Sequence, residues 1–225
     1  MAFTGIQPLI ANYIYAKTLK NSSITWTIII GILIPDIDVL FSLIGIFFKA
    51  PNISIALFTN KFTHSLFIII LIYFIGLIIK EISNKKQAII LSRDIIIGIT
   101  IHIIIDVLLS NQTIYLLWPL NIKFNLLSNF NVSSIYTDFL KIFDFIFFRF
   151  YGWYVITKII EDTKHISIFI HFINKWMKIE LFISIIMFLL FIIKFKYFEI
   201  VWLIFFTPSI IIALLITYLL GMGKN

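Results

Sequence analysis

Long apolar runs, cut by short polar interruptions, fill almost the whole chain. Ile6 to Ala16 opens the series as a brief or tilted helix, with Pro8 in its first turn where proline is tolerated. Ile24 to Ile34 follows, with Ser22 or Ser23 as N-cap, and runs into Pro35-Asp36-Ile37-Asp38 before Val39 to Phe48 resumes the apolar pattern. Proline disfavours helical geometry in the residue before it and brings no N–H, so the helix is expected to break there. Lys49 to Lys61, with Pro51, Asn52 and Asn60, reads as an outer loop. Phe62 to Ile79 is a third helix that begins with Thr63-His64-Ser65, and Ser92 caps a fourth from Arg93 to Leu109. Asn111-Gln112 end that helix, and Tyr115 to Leu120 contains Trp118-Pro119, an aromatic and a breaker suited to a membrane interface.

From Asn121 to Lys178 the pattern is mixed. Asp138 to Thr157 spaces Lys141, Asp144, Arg149 and Gly152 among aromatics, which suits an amphipathic helix in the outer interface. Glu161, Asp162 and Lys164 mark a loop, and Ile168 to Lys178 reads as a second short interfacial helix. Ile179 to Ile193 and Phe198 to Leu220 are the last two spans, joined at Lys194 and Lys196. The expected fold is an all-α integral membrane protein of about six transmembrane helices, one broken at Pro35, with amphipathic interfacial helices. One domain covers 1–225: residues 1–120 hold the polar motifs, 121–178 the interfacial region and 179–220 two further spans.

Composition agrees with the pattern. Of the 225 residues 61% are hydrophobic and 13% charged, more apolar surface than a water-soluble domain can hide. The environment is a lipid bilayer and the location a cell membrane, crossed several times. No segment joins a basic start, a short apolar core and a small-residue cleavage site, so no removable signal peptide is expected. The net charge of +7 does not imply nucleic acid, because the bases lie scattered beside apolar runs. Eight of the 18 bases (Lys17, Lys20, Lys80, Lys85, Lys86, Arg93, Lys194, Lys196) fall in three short loops, which are cytoplasmic by the positive-inside rule. That places the N-terminus outside the cytoplasm.

Against this apolar background a few ionisable residues stand out. His102 and Asp106 sit four apart in Ile101-His102-Ile103-Ile104-Ile105-Asp106, on one face of a helix. Ionisable groups in membrane helices face a cavity, a partner or a metal rather than lipid. Eleven residues at about 1.5 Å each carry Ile24 to Ile34 only about 16 Å inward, which brings Asp36 and Asp38 near mid-bilayer or its outer half. His64 at the start of the third helix and His102 with Asp106 late in the fourth lie at similar depth, so three elements supply one polar cluster. The chain has no cysteine, so a metal here is held by nitrogen and oxygen. Asp36, Asp38, His64, His102 and Asp106 suit zinc, manganese or iron, with Asp36, Asp38, His102 and Asp106 as catalytic groups of a metal-assisted hydrolysis.

Plainer accounts exist for each residue. Pro35-Asp36 alone fits a helix-ending turn, His64 beside Thr63 and Ser65 fits a helix start, and His102 with Asp106 fits a hydrogen-bonded tie between helices. His165 and His171 read as interfacial side chains, and Glu81 and Asp94 as parts of the cytoplasmic loop and its helix start. Neither Ser65 nor Ser110 lies in a nucleophile elbow. A site that binds or passes an ion without hydrolysis is the main rival, since acids and histidines in membrane helices also build relays.

Pro35-Asp36-Ile37-Asp38, then Phe62-Thr63-His64-Ser65-Leu66, then His102-x-x-x-Asp106 followed by Leu117-Trp118-Pro119, resembles the family of membrane-bound metal-dependent hydrolases, the LexA-regulated inner-membrane hydrolases of bacteria and their archaeal relatives. The likeness spans residues 1–120. It implies a metal-dependent hydrolase of the membrane with the five named residues in ligand positions. The chain departs from the family at Gln7 and Val39, where members commonly have histidine, and at Thr59-Asn60-Lys61, where they often show His-Arg-Gly. These departures admit a degenerate, inactive member. The expected activity is hydrolysis of a membrane-delivered ester, with a phosphoester foremost.

Overall fold

The computed structural model describes residues 4–18, 25–40, 62–109, 113–126, 134–162 and 167–222. Among these the chain forms α1 (Gln7–Thr18), α2 (Trp26–Leu33) with a 3-10 turn (Ile34–Ile37), α3 (Leu66–Ser83), α4 (Gln87–Leu109), α5 (Ser134–Asp162), α6 (Ser167–Ile192) and α7 (Phe198–Met222). The all-helical expectation holds for this part of the chain, and its one ladder contact is an isolated antiparallel bridge between Ile114 and Phe124. Among the described residues, three helices are long and apolar enough to cross a membrane: Leu66–Ser83, Gln87–Leu108 and Phe198–Leu220. The 12 residues of α1 and the 8 of α2 would each reach only about 12 to 18 Å, short of a hydrocarbon core.

Local chemistry explains the ends of the elements. Thr25, not Ser22 or Ser23, is the N-cap of α2, its backbone extended and its Oγ1 accepting the Ile28 N–H at 3.4 Å. The two serines lie outside the described residues, as do the loop 49–61 and most of Val39 to Phe48. The chain leaves α-helical geometry at Leu33, and Pro35 sits inside the 3-10 turn, so the expected break is present. Asn84 closes α3 in the left-handed region at φ 53°, a conformation asparagine tolerates better than most residues. The third helix begins at Leu66, so Thr63, His64 and Ser65 form the turn before it rather than its first residues.

Three further expectations need correction. Ser92 does not cap α4, which starts at Gln87; its hydroxyl donates to the Ala88 carbonyl within the helix at 2.9 Å. The interfacial helix over Ile168 to Lys178 and the span over Ile179 to Ile193 are one continuous helix, α6. Lys175 and Lys178 look outward while Trp176, Met177 and Glu180 are buried, so charges that read as a break lie on the solvent or headgroup side of an unbroken helix. The helix expected over Asp138 to Thr157 is longer, α5, and its Phe145, Phe148, Tyr151, Val155 and Ile159 enter the core at helical spacing. They pack with Trp176 and Met187 of α6 and Trp202, Phe206 and Ile210 of α7, making α5 a core helix of the C-terminal half.

The N-terminal half is ordered by a close crossing. α2 and α4 run parallel, with Gly31 and Gly98 at the contact. A Cβ on Gly98 would lie 2.2 Å from the Ile28 carbonyl oxygen and 2.8 Å from the Gly31 Cα, and one on Gly31 would lie 2.3 Å from the Ile95 oxygen. Only glycine permits backbones this near. At the start of the pair, the hydroxyls of Thr25 and Thr27 donate to Asp94 Oδ2 at 3.4 and 3.1 Å. Asp94 therefore ties α2 to α4, away from the polar cluster.

Gly98→Ala is expected to destabilise the protein by about 1 to 3 kcal/mol through overpacking, measured as a lower unfolding midpoint in detergent. Thr157→Ala, at an exposed position, should leave the midpoint unchanged. An unaltered midpoint for Gly98→Ala would contradict the close crossing.

Candidate metal centre

The α2–α4 crossing delivers the first member of the site. One turn beyond Gly98, His102 lies beside the end of α2, where carbonyls run out of helical donors. Its Nδ1 stands 2.8 Å from the Ile32 carbonyl oxygen. A carbonyl only accepts, so His102 Nδ1 carries the proton and Nε2 of the neutral ring is a bare lone pair. The 3-10 turn at Pro35 then carries Asp36 and Asp38 past the helix end and into the same space.

His64 arrives from the turn before α3. That turn is held by the Ser65 hydroxyl donating to the Phe62 carbonyl at 2.7 Å and by the Leu66 N–H donating to the Leu116 carbonyl at 2.8 Å. Trp118 packs edge-on against Phe62 and Phe67, with centroids 5.5 and 5.6 Å apart. Trp118-Pro119, a cis peptide, thus belongs to the wall beside His64. The Thr63 hydroxyl donates to Asp38 Oδ2 at 3.3 Å, and His64 Nδ1 lies 2.9 Å from the same hydroxyl. With the hydroxyl proton directed at the carboxylate, its oxygen accepts from His64 Nδ1–H. His64 Nε2 is then a second bare lone pair.

The two Nε2 atoms face each other at 3.1 Å. Facing lone pairs repel unless a proton or a metal cation draws them together. Asp36 Oδ1 lies 3.8 Å from each of them, and Asp106 Oδ2 lies 3.3 Å from His64 Nε2 and 3.4 Å from His102 Nε2. Asp36, Asp38, His64 and His102 are fully buried, and Asp106 is 2% exposed. The five residues singled out in the sequence therefore come together, as the matching depths implied. Asp38 approaches His64 on the Nδ1 side, at 3.8 Å, behind the ring relative to the other three.

These residues fit a divalent cation. Among the described residues, Asp36, His64 and His102 form a group whose ligand atoms all lie within 4.8 Å of one another. Asp36 Oδ1 is buried and has no hydrogen-bond partner among the described residues, a costly state for a carboxylate oxygen without a cation. Tetrahedral zinc with ligands at about 2.0 to 2.1 Å separates them by about 3.3 Å, close to the spacings here. Nitrogen and oxygen donors without thiolate also suit manganese or iron.

Thr4 was not legible as part of the site. Its hydroxyl donates to Asp36 Oδ2 at 2.6 Å, and Gln7 donates from Nε2 to Asp106 Oδ1 at 3.3 Å. Val39 is buried and apolar. Asn60, His165 and Ser110 lie outside the described residues. His171 and Glu81 are exposed, away from the cluster.

Nitrogen-15 spectra of protein labelled in its histidine rings should show the proton of neutral His102 on Nδ1. A neutral Nε2–H form would contradict the bond to Ile32.

Compared with known proteins, residues 4–222 match the model of the family described as YdjM inner membrane protein. No curated protein and no solved structure matches the chain.

Proposed function

This chain belongs to the YdjM inner membrane protein family, and from that premise we propose that it is a membrane-embedded, metal-dependent hydrolase of a membrane-delivered ester, with a phosphoester the favoured substrate. The observation that carries the reading is the pair of imidazoles, each tied at Nδ1, that aim Nε2 at one point beside Oδ1 of Asp36, which has no hydrogen-bond partner among the described residues. Asp36, His64 and His102 would hold the ion, and Asp106 would flank it. A divalent cation there supplies Lewis acidity to an ester oxygen and makes water more acidic.

The chain's own residues supply the rest. The Ile32 carbonyl fixes the ring of His102, and Thr63 with Asp38 fixes that of His64, so neither imidazole needs to reorganise to present its lone pair. Asp106 Oδ2, within 3.4 Å of both rings, is placed to take and return a proton. Burial of the cluster excludes bulk water.

A membrane-borne substrate is supported by an apolar cavity of about 310 Å³ between α3 and α4, lined by Leu66, Ile69, Ile103, Ile104, Val107 and Leu116. Both helices are candidate spans, and the cavity lies one residue along the chain from His102 and Asp106 and two from His64. It suits a hydrocarbon chain whose polar head lies toward the cluster. The proposed topology has about six membrane-embedded helices in one domain, 1–225, with the N-terminus outside the cytoplasm and the lysine-bearing turns inside.

A second reading, an ion-binding or ion-passing protein without hydrolysis, is favoured by the near-complete burial of all five residues. Elemental analysis of protein purified without chelators should find a stoichiometric transition metal, and His102→Ala should remove it. With the metal ion in excess, Asp106→Asn should slow hydrolysis of a micellar phosphoester by about 100-fold or more. A folded protein without metal would sink both readings. Metal without turnover of any ester would favour the second.

A further inference from the structure

We propose that the turn Thr4–Gln7 is a neutral clamp that orients the two carboxylates at the metal centre, and that α5 sets its position. This rests on the metal-binding reading above. A carboxylate beside a metal has two oxygens, and unless one is tied the group can turn and present either. Here the same device occurs twice. Asp36 has Oδ2 held by the Thr4 hydroxyl at 2.6 Å, which leaves Oδ1 facing both imidazoles at 3.8 Å. Asp106 has Oδ1 held by the Gln7 amide at 3.3 Å, which leaves Oδ2 facing them at 3.3 and 3.4 Å.

Thr4 and Gln7 are three residues apart, fully buried, and reach carboxylates 32 and 99 positions away on separate elements. One turn of chain therefore fixes the setting of Asp36 on the 3-10 turn relative to Asp106 on α4. Both donors are uncharged. A lysine or arginine in either place would neutralise the carboxylates and compete with a cation, whereas a hydroxyl and an amide orient them and leave their charge for the ion.

The clamp is positioned from the far half of the chain. Gly5 lies between its two arms against the backbone of α5, where a Cβ would be 2.3 Å from both the Phe147 carbonyl carbon and the Phe148 nitrogen. Backbone cannot yield as a flexible side chain does, so any larger residue lifts the turn off α5 and draws Thr4 from Asp36. A residue that touches no ligand thereby controls the site.

The test is equilibrium binding of Zn²⁺ and of Mn²⁺ to the full chain in detergent, after chelation, together with unfolding midpoints of metal-free and metal-loaded protein. Thr4→Val, Gln7→Met and Gly5→Ala are each expected to weaken binding by about 10- to 100-fold and to shrink the rise in midpoint on loading. Thr4→Ser, which keeps the hydroxyl, should bind as the wild type does. Variants that lose metal-free stability but bind with wild-type affinity would overturn the clamp and leave a structural anchor. Should one variant fail to fold, the other two decide by the same readout. If the wild type takes up neither ion, the metal reading itself fails, an outcome distinct from equal binding by wild type and variants.

Discussion

A histidine buried in an apolar helix needs partners for its ring nitrogens, and the Nδ1–H of His102 has one in the carbonyl of Ile32, 2.8 Å away on another helix. The bond requires α2 and α4 to approach backbone to backbone, which Gly31 and Gly98 allow. It also requires α2 to end at that level, which Pro35 brings about. Once His102 is fixed by Nδ1, its Nε2 points at His64, and the rest of the cluster is arranged about that direction. Fold and site thus share one geometric condition.

Much of this was legible in the sequence because it follows from strong local rules. Apolar runs identified helices, Pro35 the break, and ionisable residues amid apolar runs the candidate site; Asp36, His64, His102 and Asp106 do meet. What was not legible depends on contacts distant in sequence. Thr4 is a single hydroxyl in a short turn, and nothing near it announces a bond to Asp36. The main-chain carbonyl of Ile32 has no sequence signature at all. The division at Lys178 misled in α6, where one helical face carries Lys175 and Lys178 outward while Glu180 turns into the core of an unbroken helix. Ser92 misled for a related reason, since a serine hydroxyl bonds a carbonyl within a helix as readily as it caps one.

The two halves of the chain play different parts. α3 and α4 expose apolar surface and line an apolar cavity, while α5, α6 and α7 bury their large side chains against one another. The N-terminal turn joins the halves, lying on α5 by way of Gly5 and reaching Asp36 and Asp106 by way of Thr4 and Gln7. A buried polar cluster in a membrane helix bundle is expensive to maintain for packing alone. Its tethers on both imidazoles are those a metal site requires.

The most direct test is X-ray absorption at the metal edge of protein purified without chelators. The account predicts nitrogen and oxygen neighbours at about 2.0 to 2.2 Å with the outer-shell scattering of two imidazoles. An ion lacking imidazole scattering, or no edge signal from folded protein, would contradict it.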